Sequence, residues 1–518
     1  MQRSRRAFRA RRLATRAVSP VILAAFCAGA NAQQANSPTT PGAAEARVDA
    51  LLKQMTLEEK IDMLGGTGFG TKPLPRLKIP ALQMTDGPMG ARIPPPSTAF
   101  AAGIGLAASW DPALAERVGQ QIARDARSRG AHFLLGPGVN IYRSPLNGRN
   151  FEYFGEDPFL GARIAVGYIN GVQSERVSAT IKHYMGNNSE FARNTSNTVI
   201  DERTMREIYL PIFETAVKDA HVGAIMDSYN LTNGLYMTQN PYFNTDVAKT
   251  QWGFDGIIMS DWGATHDALG AANGGMDLEM PSGQFLNRKT LLPAVQQGTV
   301  SAATIDDKVR RILRLAVRFG WLDREQLDRS IPRYNQPGRE VARDGARESM
   351  VLLKNANGLL PLDKRTVKKI AVIGPDAFPA IPTAGGSGNV PPFSSVSILT
   401  GISDALGTKG TVTYARGIPT LAQMVRATRF TVEPNGKRGL TVETFTNADA
   451  SGAPASTHIE RTASIGRSFF DSPGEMDFGP DDFAGLGTPP KPTSMRLTGY
   501  FTPQTAGTHV LFVQSMDN

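Results

Sequence analysis

Cysteine is nearly missing: Cys27 is the one example in 518 residues. It lies within the first 32 residues, so a chain cleaved after Ala32 keeps no thiol, which excludes disulfides and cysteine catalysis alike. Bulky Phe26 stands where lipid attachment at Cys27 would need a small residue. Histidine is scarce as well. His132, His183, His221, His266, His458 and His509 make no helical pair at ligand spacing and have no cysteine partners, so neither a metal nor a cofactor is expected. The apolar run Val18–Ala28 is too short to cross a bilayer. An excess of one charge is also missing from most of the chain. The formal charge is +9, but seven arginines and no acid fall in residues 1–32; setting those seven aside leaves +2 for residues 33–518. A nucleic-acid partner is therefore not indicated. The glycine-rich stretches Gly65–Gly70 and Gly385–Gly388 lack the Gly-Lys-Ser/Thr ending and the dinucleotide spacing of phosphate loops, and read as turns.

What is present starts with an address. The arginine-rich beginning, the apolar run Val18–Ala28 and the small-residue pattern Ala30-Asn31-Ala32 build an export signal over residues 1–32. Within it, Ser4-Arg5-Arg6-Ala7-Phe8 has the form of a twin-arginine signal. The mature chain is expected in the periplasm or outside the cell, free of the membrane. The 41% hydrophobic and 20% charged content of the full 518 residues fits a soluble globular protein, and that length fits two to four domains.

Residues 33–44 read as a flexible leader, with order beginning at Glu45. Thr56-Leu-Glu-Glu59 is a capping box that opens a helix. Five short apolar runs then alternate with helical stretches: Ala81–Thr85, Ala131–Leu135, Ala179–Ile181, Val222–Met226 and Gly256–Ser260. Between two of them, residues 202–220 carry Met205, Ile208, Tyr209, Ile212, Phe213, Ala216 and Val217 on one helical stripe. This alternation predicts an α/β fold with a parallel sheet, and the span 45–322 suits a closed (β/α)8 TIM-like barrel. A charged linker, 323–340, leads to the first part of a second α/β layer domain at 341–425, with a buried strand at Lys369–Ile373 and a helix from Ser397. From 426 to 518 apolar and polar residues alternate between turns, the pattern of a β module.

Each strand-like run is followed at once by polar or glycine-rich sequence: Asp86-Gly-Pro88, Gly136-Pro-Gly138, Lys182-His-Tyr184, Asp227-Ser-Tyr-Asn230 and Asp261-Trp-Gly263. In a barrel these would meet on one rim. Each has a plainer reading alone: an Asp as helix N-cap, a Lys-His at the surface, a Trp in packing. Arg149 has Glu152 or Glu156 as salt-bridge partners within reach, and His183 reads equally as a core histidine.

The motifs Thr85–Arg92, Arg143–Pro158, Ile181–Tyr184, Met226–Asn230, Met259–Trp262 and Gly275–Pro281 together resemble glycoside hydrolase family 3, the β-glucosidases and their relatives. Residues 430–518, clearest at Arg496–Pro503, are similar to the start of a PA14 module, which would interrupt the α/β sandwich domain. The resemblance implies a retaining, exo-acting β-glycosidase that releases terminal glucose from small β-glucosides or oligosaccharides. It implies Asp261 as the nucleophile; Asp86, Arg149, Lys182 and His183 as grips on the sugar; Tyr229 near the anomeric centre; and Trp262 as a stacking wall. Such chemistry needs two carboxyl groups flanking the scissile bond. Asp277 and Glu279 read as architectural. The N-acetylglucosaminidase branch places its acid in a Lys-His-Phe-Pro-Gly-His-Gly loop, which here reads Lys182-His-Tyr-Met-Gly-Asn-Asn188. The proton donor is therefore expected beyond Asn518, the chain being an N-terminal portion or a truncated form. A β-xylosidase or arabinofuranosidase, or a sugar-binding protein without turnover, stays open as an alternative, as does self-association.

Overall fold

This computed structural model describes residues 41–461 except 384, 420–422 and 425–426, together with 494–503 and 505–509. The export segment, residues 33–40 of the leader, and residues 426, 462–493, 504 and 510–518 of the β module lie outside the described residues. Helix α1, Pro41–Leu52, begins four residues before the expected Glu45. A proline in the first turn gives up no helical hydrogen bond, so Pro-Gly here opens a helix instead of prolonging a loop. Helix α2, Leu57–Asp62, carries the expected capping box, with the Glu59 amide donating to Thr56 Oγ1 and the Thr56 amide donating to Glu59 Oε2.

Five parallel strands follow: β1 Met84–Asp86, β2 Phe133–Leu135, β3 Ser178–Tyr184, β4 Ala224–Asp227 and β5 Ile257–Ser260, side by side in chain order. They overlap the five apolar runs, with ends displaced by up to three residues. Apart from Asp86, every residue in them is buried, as a sheet covered on both faces requires. Their alternation sorts side chains two ways. Phe133, Met226 and Met259 join one apolar cluster, with Ile305, Val309 and Ile312 of helix Ala302–Arg318. Leu134, Ile225 and Ile258 join another, with Val118 and Ile122, Ile164 and Ile169, and Ile212 and Phe213 of the helices on that face.

Eight uniform strand–helix units were expected; the regular parallel ladder has five strands. Beyond β5 the pairing continues as single bridges. Asp277 and Leu278 donate to the Ile258 carbonyl, Gly66 donates to Glu279, and a tight antiparallel hairpin over 64–71 leads by way of Met84 N to Phe69 O back to β1. The glycine-rich turn at 65–70 is too sharply folded for a regular strand, so the hydrogen bonds return to β1 through a hairpin.

Helix α3, Pro112–Arg127, and helix α4, Pro158–Ser174, pack outside the sheet, capped by Asp111 and Asp157. The 202–220 stripe is interrupted: a π-helical turn spans Met205–Tyr209, Pro211 restarts helix α5 at Pro211–Lys218, and Ile208 is exposed. The linker is irregular to Asn335 and is pinned to α3 by Arg127–Asp328 at 2.7 Å; its last residues already belong to helix α6, Gln336–Glu348. Then β6, Lys369–Ile373, and β7, Thr411–Ala415, form a parallel pair. The expected burial of β6 is not found: Val372 is buried while Ile373 is 73% exposed. Among the described residues, helix Ile398–Leu406 packs on this two-stranded sheet without covering both faces. Finally β8, Leu440–Phe445, pairs antiparallel with Ser456–Glu460 and Ser494–Thr498.

Candidate active site

Because the five strands run parallel, their C-terminal ends share one edge, and the predicted residues gather there. Asp86 ends β1, Lys182 and His183 lie near the end of β3, Tyr229 follows β4, and Asp261-Trp262 follows β5. Arg149 comes from the loop after β2. Asp86 accepts from Arg92 Nη1 at 2.8 Å and lies 3.9 Å from Lys182 Nζ. Arg149 Nη2 stands 2.9 Å from His183 Nε2, which is itself 3.5 Å from Asp261 Oδ2. The other Asp261 oxygen accepts from the Trp262 amide at 2.7 Å, which aims the carboxylate. Tyr229 OH donates to the Trp262 carbonyl at 3.2 Å, and the Arg193 guanidinium lies 4.1 Å over the Tyr229 ring. The Trp262 ring packs against Phe69 at 4.9 Å, with its Nε1 buried and without a hydrogen-bond partner among the described residues.

His183 is fully buried. Burial, and then Arg149, Lys182 and Arg193 around it, hold its pKa well below the ordinary value, so the ring is neutral. Asn140 Oδ1 accepts from the His183 amide and lies 3.1 Å from Nδ1, which places the ring proton on Nδ1 and leaves Nε2 to accept from Arg149. The approach of His183 to Asp261 is thus no ion pair. Arg149 also bonds Glu152, so the plainer salt-bridge reading and a place in the site hold together. Burial opposes the Glu152 charge, but Arg149, Lys182 and Ser387 outweigh it and hold its pKa below the usual range. Burial, then Asp261, raise the Tyr229 phenol above its ordinary pKa, so it stays protonated.

Several neighbours escaped sequence reasoning. Arg92 lies six residues after Asp86 in the same motif, and that spacing was the available signal. Arg193 and Glu190 pair at 2.6 Å in the loop after β3, with no pattern to mark them. Ser387 belongs to the loop read as a bare turn, yet its Oγ lies 3.2 Å from Glu152 Oε2 and 3.4 Å from Arg149 Nη2. Asp277 and Glu279 hold backbone: Asp277 takes Ile258 N and Lys249, and Glu279 takes Phe285 N and Leu286 N. A separate cavity of about 650 Å³, lined by Lys218, His221, Trp252 and Arg318, lies at the opposite ends of β4 and β5.

The family model described as glycosyl hydrolase family 3 N terminal domain matches residues 51–315, and that of the family's C-terminal domain matches 350–469. The second match runs past residue 426, where the β module was expected to begin. A beta-glucosidase of Rhizobium radiobacter is 42% identical over 473 residues, covering 89% of this chain and 55% of that protein. Thermostable beta-glucosidase B of Acetivibrio thermocellus is 42% identical, covering 71% of this chain and 50% of its own. The solved structure of beta-glucosidase 3B from Thermotoga neapolitana in complex with alpha-D-glucose has a TM-score of 0.66 at 34% identity, covering 71% of this chain and 55% of that one. The chain spans about half the length of the curated relatives it matches.

Proposed function

The chain belongs to glycosyl hydrolase family 3, and from that we propose that it is a retaining, exo-acting β-glucosidase acting on small β-glucosides, with Asp261 as its nucleophile. The observation that carries this reading is the aim of Asp261: one oxygen is tied to the Trp262 amide and the other faces the His183–Arg149 pair. In this reading Asp86, Lys182, Arg149 and His183 hold the hydroxyls of one terminal sugar, whose orientation such charge-assisted bonds select. Trp262 walls one face, with Tyr229 at the anomeric carbon. Asp261 attacks C1 as the bond from C1 to the aglycone oxygen breaks, that oxygen taking a proton from water unless it is acidic enough to leave as the anion, and water later releases the sugar by attack on the covalent ester. We read the ring of bridges around the sheet as a barrel of the (β/α)8 kind with one inverted hairpin, residues 426–518 as part of a PA14-like module, and the chain as exported.

The other three carboxyl groups of the described site are engaged: Asp86 with Arg92 and Lys182, Glu152 with Arg149, Glu190 with Arg193. Asp86 acts as a grip and Glu152 and Glu190 as counter-ions to the arginines, and none is poised to protonate a leaving group. Aryl glucosides with acidic phenols need no such proton. With the described site alone, a dinitrophenyl glucoside is therefore expected to be cleaved at least about 100-fold faster than cellobiose, the range that general acid catalysis supplies. A 2-fluoroglucoside should label Asp261, and Asp261→Ala should abolish labelling. Mass spectrometry finding the label on another residue, or equal rates on both substrates, would overturn the reading.

A further inference from the structure

Three pieces of chain meet behind Trp262, and one short segment, 279–281, ties them. Met280 N donates to Ser260 Oγ at 2.8 Å and Gly263 N to the Met280 carbonyl at 2.9 Å, bracketing Asp261-Trp262. Glu279 N donates to Leu64 O, Gly66 N to Glu279 O and Gly68 N to Pro281 O, each at 2.8 Å, which fixes the hairpin carrying Phe69. The Glu279 side chain takes the third piece: its carboxylate accepts from Phe285 N at 3.0 Å and Leu286 N at 2.6 Å. The contact between hairpin and loop is close, since a Cβ at Gly65 would lie 2.5 Å from Gly283 Cα.

Glu279 is 3% exposed, and no salt bridge to it is found among the described residues. The charged groups on the elements packed around it are Lys72 just after the hairpin and Arg288 after the loop, both paired with Asp62, and Asp261 beyond Ser260; of these Lys72 acts on its carboxyl. Burial raises the Glu279 pKa to about 7, against the opposing pull of the loop amides and Lys72. A glutamate so costly to ionise is a poor choice for stability alone.

We propose that Glu279 is a positioning residue for the sugar-binding wall: its carboxylate locks loop 284–286 against the hairpin, so that Phe69 and Trp262 are held in place beside Asp261. The inference rests on the glycosidase reading for its consequence, but the lock itself is testable apart from it. By hydrogen exchange corrected for intrinsic rates, the amides of Phe285 and Leu286 should be protected at pH 8, lose protection several-fold below pH 7, and show that lower protection at both pH values in Glu279→Gln, whose neutral amide oxygen accepts more weakly. In fluoroglucoside labelling, the half-saturating concentration should rise several-fold as pH falls through about 7 with little change in limiting rate. Glu279→Gln should show the weak value throughout, and Lys72→Gln should move the midpoint upward. Because its pKa is raised, Glu279 withdraws folding stability as pH rises from about 4.5 to about 7, so Glu279→Gln should melt no lower than the parent at pH 8. Loop amides in Glu279→Gln as protected as in the parent at pH 8, an unchanged labelling profile, or a melting point well below the parent's would overturn the proposal. Failure of the parent to label at Asp261, with the amide result intact, would overturn the glycosidase reading alone.

Discussion

Glu152 decides whether Arg149 can serve the site. Its side chain is wholly buried and Arg149 nearly so, and each charge is tolerable there because of the other. Glu152→Gln keeps the shape and removes the charge, leaving a guanidinium buried without its counter-ion. Breaking such a pair costs roughly 3–5 kcal/mol. A urea midpoint lowered to match is expected, together with weaker glucose binding by calorimetry, because Arg149 also contacts His183. An unchanged midpoint would mean that water replaces the partner. At this scale the sequence was informative where a residue's neighbours are local: Asp261 beside Trp262, or Lys182 beside His183. It was silent where they are remote, as for Ser387, which reaches Glu152 across 235 residues.

Among the elements, the five strands were legible because burial on both faces leaves continuous apolar runs, and their ends were misplaced by up to three positions, as at the close of β3, which runs on through Lys182 and His183 to Tyr184. The stripe at 202–220 was legible as a face but not as one helix, since Pro211 removes an amide and the preceding turn widens to let Leu210 N reach Met205 O. Helix pairing was not legible at all. Helices α3 and α4 approach through glycines: a Cβ on Gly171 would lie 1.9 Å from the Glu116 carbonyl, and one on Gly119 2.2 Å from that of Tyr168. Backbone atoms cannot yield as a flexible side chain does. Gly171→Ala should therefore lower stability by about 1–3 kcal/mol in urea titration, with glucose affinity little changed since α4 lies outside the sheet.

Across the whole molecule the two α/β regions differ in kind. Strands β1 to β5 are almost entirely buried, whereas in β6 only Val372 is, and Leu353 and Leu359 nearby are 92% and 70% exposed. Amide hydrogen exchange should accordingly be slowest in 84–260 and at least about ten-fold faster in β6 and β7; equal protection would show the second region to be as stable as the first. The regions nonetheless meet. Ser97 N donates to Pro391 O at 3.1 Å, and the loop with Ser387 seats Gly388 so closely that a Cβ would lie 2.6 Å from Met89 and Phe151. The amino-acid sequence by itself determined which segments are strands and which polar residues follow them, because hydrophobic period and motif spacing are local properties of the chain. Only the tertiary structure decided that the sheet's hydrogen bonds return to β1 through a hairpin, that His183 is neutral, and that Ser387 and Glu279 belong to the surroundings of Asp261. Those depend on distances between segments far apart along the chain and on the water that their packing excludes.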